Sequence, residues 1–331
     1  MILSRTRPYI MKLTISLVVA ALLAIVTDAS AQEKKVLRIG HFPNITHVQA
    51  LVASNLKRQG KGWFEERIPG VEVQWFVYNA GPSAMEAIFA NSIDLTYVGP
   101  SPVLNAYARS KGDEIRVLAG AARGGAALVV PGDGRIAKPA DLKGLKLATP
   151  QLGNTQDIAA RAWLKKQGFR ITQIGGDVLV VPTSNPDQLN LFQKKDIAAV
   201  WTVEPWVSRL ELEADGKIMV EQKEEVVTVL ASSAKFLKEQ PDLAKRVVAA
   251  HVELTKWIAD HPDEAKAMVR AELKELTKRD LPEQLADRAW PRLTFSSEIA
   301  KADFDAMVAE GQSVGFLKSV PALDRLIVVL P

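Results

Sequence analysis

The chain has 331 residues, of which 47% are hydrophobic and 24% charged, and its formal net charge at pH 7 is +4. That length and apolar content can bury a large core and suffice for two domains, while the scatter of basic residues along the chain argues against a nucleic-acid surface. There is no cysteine, which rules out disulfides, thiolate metal ligands, a thiol nucleophile and lipid attachment through a cysteine.

At the start, Arg5, Arg7 and Lys12 precede the uncharged run Leu13 to Val26, and Ala29-Ser30-Ala31 follows. The run is too short to span a bilayer comfortably, and three small residues make a cleavage site, so residues 1–31 read as a secretory signal peptide, with Met11 as an alternative start. Cleavage would leave a soluble chain outside the cytoplasm. The removed segment holds three basic residues and one acidic residue, so the formal charge would fall from +4 to +2.

From Val36 onward strand-like and helix-like pieces alternate. "VLRIGHF" (Val36 to Phe42) reads as a strand, Thr46 to Gly60 as a helix ending at glycine, and Val71 to Tyr78 as a second strand. A helix opened by Gly81-Pro82-Ser83, the strand "IDLTYVG" and the helix "PSPVLNAYARSKG" follow. Alternation with short connections implies a parallel sheet covered by helices, with ligands at the carboxyl ends of the strands. The small, apolar stretch Ala119 to Val130 suits a crossing between two halves. A second set then begins with "LKLATP", a helix from Asp157 to Gln167, the strand Asp177 to Pro182, "NPDQLNLFQKKD" and the strand-like Ile197 to Trp206. The chain after about Val226 reads as mostly helical, with two amphipathic helices in Pro241 to Arg270 parted near His261-Pro262.

Four elbows share one construction: Pro43-Asn44-Ile45-Thr46, Gly81-Pro82-Ser83, Gly99-Pro100-Ser101 and Gly153-Asn154-Thr155. Each follows a strand and opens a helix with small residues, where unpaired N–H groups and the positive end of the helix dipole favour an anion. Each is equally a turn with an N-cap. Facing one another across a crevice, the four would form one site.

Catalytic signatures are missing. There is no G-x-S-x-G, no phosphate-binding P-loop and no G-x-G-x-x-G. His41, His47, His251 and His261 lack metal-ligand spacing, so neither a metal nor a cofactor is expected. His47 suits a neutral donor to an anion or a surface histidine. Arg123 suits an anion or an ion pair between the halves. In "AAVWTVEPWVSRL", Trp201 and Trp206 suit either a ligand wall or the core, with Glu204 between them as an acceptor.

The blocks "VLRIGHFPNITHVQALVA", "YNAGPSAMEAIFANSIDLTYVGPSPVLNAYARSKG", "KPADLKGLKLATPQLGNTQDIAARAWLKKQG" and "AAVWTVEPWVSRL", in this order behind a signal peptide, resemble the periplasmic substrate-binding proteins of the nitrate, sulfonate and taurine ABC importers. The resemblance spans essentially the whole mature chain. It implies an α/β, type II periplasmic binding protein fold in which two lobes, joined by a two-segment hinge, close on a small solute before docking on a membrane permease. On that pattern one lobe holds residues 32–122 and 226–331 and the other residues 123–225, in a monomer. The ligand positions implied are Asn44, Thr46, Gly81, Pro82, Ser83, Gly99, Pro100, Ser101, Gly153, Asn154 and Thr155, with Glu204 and Trp206 at the far wall and His47 and Arg123 as candidates. The cysteine-rich motif of relatives that bind thiamine-precursor pyrimidines is missing, and the basic and histidine set of nitrate binders is reduced to His47 and Arg123. Neutral donors suit a tetrahedral sulfonate with an apolar tail against Trp206. Nitrate, bicarbonate or another small acid, and an enzyme on the same scaffold, are the alternatives.

Overall fold

A computed structural model describes residues 35–330; the expected signal peptide and Met11 lie outside them. The first elements are β1 (Lys35–His41), α1 (Val48–Arg58), α2 (Trp63–Arg67), β2 (Val71–Val77), α3 (Gly81–Phe89), β3 (Leu95–Val98), α4 (Pro100–Arg109) and β4 (Ile115–Gly124). A 3-10 turn, Ile45–His47, leads into α1. Next come β5 (Ala126–Pro131), β6 (Lys146–Thr149), α5 (Thr155–Lys166), β7 (Leu179–Pro182), α6 (Asn185–Gln193), β8 (Ala199–Val203), α7 (Trp206–Glu213) and β9 (Gly216–Gln222). The last stretch holds β10 (Val226–Ser233), α8 (Ala234–Glu239), α9 (Pro241–Asp260), α10 (Pro262–Thr277), α11 (Glu283–Ala289), β11 (Leu293–Phe295) and α12 (Lys301–Ser313).

These strands form two sheets, ordered β11-β4-β10-β3-β1-β2 and β7-β6-β8-β5-β9. The expected parallel arrangement holds for β1 with β3 and for β6 with β7 and β8. Both sheets are nevertheless mixed, because β10 runs antiparallel to β3 and β4, and β5 runs antiparallel to β8 and β9. The mostly helical reading after Val226 holds from Ala234 onward, but its first eight residues are a strand with every residue buried. Such a strand shows no alternation because both of its faces are covered. The strand-like segment Ile197 to Trp206 is corrected as well, since β8 ends at Val203 and Trp206 opens a helix.

The chain passes from the first sheet to the second at Gly125 and returns through residues 223–225. The two crossings lie side by side, with the Gly124 amide donating to the Glu225 carbonyl at 3.0 Å. Gly124 has φ +73°, and a Cβ there would come within 2.4 Å of the Arg292 carbonyl, so only glycine fits this passage.

Helices cover the first sheet with Leu243, Val247, Ala250, Leu254 and Ile258 of α9, spaced three and four apart and all buried. Those side chains join Leu37, Ile39 and Val73 of the sheet and Leu51 of α1 in one cluster. Within it, His251 Nε2 lies 2.8 Å from the Gly120 carbonyl and Nδ1 lies 3.0 Å from the Tyr97 hydroxyl. A carbonyl only accepts, so Nε2 carries the hydrogen and Nδ1 receives the one from Tyr97. The second sheet packs its two faces separately, one around Leu128, Leu147 and Trp201 and the other around Val129, Val200 and Trp206.

Candidate functional site

Strand ends and helix starts from both sheets converge on one cavity with an empty volume of about 370 Å³. The first sheet contributes Phe42, Asn44, Thr46 and His47 beyond β1, Asn79, Ala80 and Gly81 before and at the start of α3, and Gly99 and Val227. The second contributes Pro150, Asn154, Thr155 and Gln156 around the start of α5, together with Asn185 and Val203. No lining residue carries a formal charge, apart from any proton on His47. Burial holds the His47 ring neutral, well below the ordinary histidine range, and neighbouring His41 adds to the effect.

Local chemistry explains how these side chains are fixed. Asn154 is the N-cap of α5, its Oδ1 accepting from the Asp157 amide at 2.8 Å. Asp157, fully buried, accepts from Thr149 Oγ1 at 2.8 Å, from the Gly153 amide at 2.9 Å and from Arg161 Nε at 3.0 Å. That set closes the elbow on itself. Asn44 Oδ1 accepts from Trp206 Nε1 at 3.0 Å and from Asn185 Nδ2 at 3.4 Å, and the Ile45 amide donates to the Glu204 carbonyl at 3.1 Å. These contacts, with the Ser101 amide on Thr155 Oγ1 at 3.3 Å and Gln151 Nε2 on Ser83 Oγ at 3.1 Å, tie the two sheets together around the cavity.

Of the residues singled out in the sequence, Asn44, Thr46, His47, Gly81, Gly99, Asn154 and Thr155 meet at this cavity. Pro82 and Gly153 instead border a neighbouring hollow with Met85, Arg109 and Phe316. Pro100 is buried as the first residue of α4, and Ser101 faces a more open groove beside Thr155, Glu224, Glu225 and Asp303. Ser83 is engaged with Gln151.

Three residues stand apart from the cavity. Arg123 is gripped by Asp303 through two bonds of 2.8 and 2.9 Å, the ion-pair alternative rather than an anion contact. Glu204 is fully buried and turned toward Ser208 Oγ at 2.9 Å and Arg292 Nη1 at 2.8 Å. Burial pushes its carboxyl up, against the pull of Arg292 and Ser208. Trp206 packs its ring with Leu189, Phe192 and Leu210 and offers the cleft only its N–H, through Asn44. The apolar surface expected of Trp206 comes from Phe42, Val203 and Val227. Trp201 lies in the second sheet's core, edge-on to Trp163.

Sequence reasoning missed Asn79, Gln156 and Asn185. Asn185 had a readable signal: "VPTSNPD" is a fifth strand, small polar elbow and helix start, with Pro186 in the first turn. Among the described residues no group of three or more metal-ligating side chains is gathered.

A family model for the NMT1-like family matches residues 30–273. The taurine-binding periplasmic protein of Escherichia coli is 28% identical over 155 residues, which is 47% of this chain and 46% of that protein, so the chain matches about half of that relative's length. The alkanesulfonate-binding protein SsuA of Xanthomonas axonopodis pv. citri, solved with MOPS bound, superposes with a TM-score of 0.72 at 19% identity, covering 88% of this chain and 98% of that one. A Candida albicans protein described as having the generic periplasmic binding protein fold superposes with a TM-score of 0.67 at 14% identity, covering 89% and 97%. The two sheets of this chain, crossed twice, superpose on those structures over most of their length, and the chain belongs to the NMT1-like family with a periplasmic binding protein fold.

Proposed function

We propose that this protein is an extracytoplasmic solute-binding protein of an ABC importer. It captures a small organic anion, an aliphatic sulfonate or taurine, between its two sheets and hands it to a membrane permease. The observation that carries this reading is the convergence of helix starts and uncharged polar side chains from both sheets on one cleft. The taurine and alkanesulfonate binders among its relatives support the same solute class. Binding without turnover fits the lining, where no serine or carboxylate stands beside His47 and where His47 Nδ1 already accepts from the Phe42 amide at 3.4 Å.

In this reading the first sheet, through β4 and again from β10 onward, belongs to one lobe and the second sheet, β5 to β9, to the other, with the paired crossings at Gly125 and residues 223–225 as the hinge. Closure is driven by a solute that touches both lobes at once. A signal peptide over residues 1–31 would deliver the chain to the periplasm, where it works as a monomer.

A thermal-shift screen of the purified protein against taurine, alkanesulfonates, sulfate, nitrate, bicarbonate and carboxylates tests this. A true solute at 100 times its Kd adds about 2.7 kcal/mol, a rise on the order of 5–10 °C. A rise confined to sulfonates supports the proposal; a rise with nitrate or bicarbonate alone replaces the solute, and no rise with any anion overturns the anion reading.

Gly99 gives a second test. A Cβ there would lie 2.3 Å from Thr155 Oγ1, on the far side of the contact that joins the two sheets. Gly99→Ala is expected to wedge this contact apart at a cost of about 1–3 kcal/mol, which weakens solute binding by roughly 5- to 150-fold in calorimetric titration. An unchanged Kd would mean that this elbow does not close on the solute.

A further inference from the structure

The cavity is lined by five carboxamides, from Asn44, Asn79, Asn154, Gln156 and Asn185. A carboxamide is ordinarily ambivalent, offering an acceptor oxygen as well as two N–H donors. Here the surrounding bonds remove the ambivalence. An indole N–H and a main-chain N–H can only donate, so the atoms that face Trp206 Nε1 and the Asp157 amide are the oxygens of Asn44 and Asn154. Asn154 then turns its Nδ2 to Gln156 at 3.1 Å, which makes the receiving atom Oε1. The oxygen of Asn185 accepts from Thr202 Oγ1 at 3.2 Å. The Phe42 amide occupies His47 Nδ1, so the neutral ring holds its hydrogen on Nε2.

Asn79, exposed at the edge, turns its Nδ2 to the Pro150 carbonyl at 3.5 Å and keeps its oxygen free; among the buried lining side chains, what remains without a partner in the protein is Nδ2 of Asn44, Nε2 of Gln156, Nε2 of His47 and the Thr46 hydroxyl. All four residues are more than nine-tenths buried and line the cavity. Every carboxamide oxygen of Asn44, Asn154, Gln156 and Asn185 is already taken. The buried free groups are donors, apart from the hydroxyl, which can do either.

We infer that the cleft is a polarised donor cage, set by Trp206 and the Asp157 amide acting through Asn44 and Asn154, and that it selects ligands whose bound end carries acceptors only. Such a ligand is a fully ionised oxyanion. A group of the same shape that carries its own N–H or O–H would set hydrogen against hydrogen in the buried part of the cleft, where no carboxamide oxygen is free to receive it, and desolvated donors left unmatched are costly. Trp206 is thus a positioning residue rather than a wall. The inference rests on the anion-binding proposal and sharpens it from a solute class to a rule of recognition.

The experiment compares propane-1-sulfonate with propane-1-sulfonamide, nearly identical in shape, by calorimetric titration of the full chain at pH 7.5. Sulfonate is expected to bind at least about 100-fold tighter than sulfonamide. Trp206→Phe keeps the ring and removes the N–H, leaving only the longer bond from Asn185 Nδ2 at 3.4 Å to hold the Asn44 carboxamide, and is expected to narrow that ratio by about tenfold. A purely structural role for Trp206 would weaken both ligands alike and leave the ratio in place. Asn44→Asp keeps an oxygen for Trp206 and Asn185 but replaces the free N–H₂ with a second oxygen, and is expected to abolish sulfonate binding. Equal binding of the two probes overturns the donor cage while the anion proposal stands. An undiminished ratio in Trp206→Phe, or unchanged sulfonate affinity in Asn44→Asp, overturns the positioning chain. Binding of neither probe to the unmodified protein overturns both readings.

Discussion

Between pH 7 and pH 4 the protein is expected to lose several kcal/mol of stability, with the first part of the loss appearing above pH 5. Three imidazoles are fully buried, and burial lowers His41 and His251 to about 4 and His47 well below the ordinary range. In the unfolded chain each would titrate near 6.5, so the unfolded state takes up protons first as the pH falls. The stabilisation is complete above about pH 6.5 and is lost as the pH drops toward 4. The loss for His41 and for His251 is about 2 kcal/mol each by pH 5 and on the order of 3 kcal/mol each by pH 4, a large part of a typical net stability. His251 shows the cause plainly: with Nε2 on the Gly120 carbonyl and Nδ1 receiving from Tyr97, its ring has no room for a second proton without forcing the Tyr97 hydroxyl to reverse. His41 packs edge-on to Trp75 with its Nε2 unpartnered, and only the nearby Glu272 and the Phe42 carbonyl favour its charged form. Urea unfolding at pH 7.5, 6, 5 and 4 measures the slope. Carboxylates contribute chiefly below pH 5, so a flat stability between pH 7 and 5 would refute the role of the imidazoles. His251→Gln, which offers both neighbours a bonding partner without titrating, should remove that ring's share.

Arg292→Met is expected to destabilise the protein by about 3–5 kcal/mol. Arg292 reaches Glu204 at 2.8 Å, Glu211 at 2.8 Å and Glu221 at 3.5 Å. Glu204 has no exposure at all, and among the described residues its carboxyl's other bonds come from the Ser208 amide and hydroxyl. Removing the guanidinium strands a buried carboxyl, which costs far more than losing an exposed pair. Glu204→Gln in the Arg292→Met background should recover part of the loss, since a neutral amide needs no counter-charge, and the coupling is read from a double-mutant cycle in urea. Arg292 immediately precedes a strand of the first sheet, while Glu204 directly follows β8, Glu211 lies on α7 and Glu221 on β9, all in the stretch that builds the second sheet. Its loss should therefore loosen the seam between them. A change below about 0.5 kcal/mol would mean that water reaches Glu204 and that the seam is held elsewhere.

The elements with short connections were legible because their punctuation is local. Small polar elbows mark helix starts before any tertiary contact is known, and the four of them put six residues of the cleft within reach of the sequence alone, with His47 directly after the first. The strand Val226–Ser233 was not legible, since a strand buried on both faces carries no alternation and abuts a helix. For Arg123 and Trp206 the sequence left a ligand role and a structural role open, and for Glu204 it pointed to an acceptor. What decided their placement was distant in sequence: Asp303 for Arg123, Arg292 for Glu204 and Asn44 for Trp206. The orientation of Asn44 in turn depends on a residue 162 positions away, so no local pattern could show which end of its carboxamide faces the cavity.

The position of β10 also dictates an order of events in folding. It sits between β3 and β4, pairing with both, yet it is reached only after the whole second sheet has been laid down. During synthesis β1 to β4 emerge with the slot between β3 and β4 vacant, whereas β5 to β9 come out as an uninterrupted run that already contains every strand of its sheet. The second sheet can therefore close while the first still waits for its centre. Contacts of such long range are slow to form because a large loop must be closed before any of them is gained. The nascent chain thus carries an open pair of strand edges for the time it takes to make about a hundred residues, and this interval is when the protein is most exposed to misassociation.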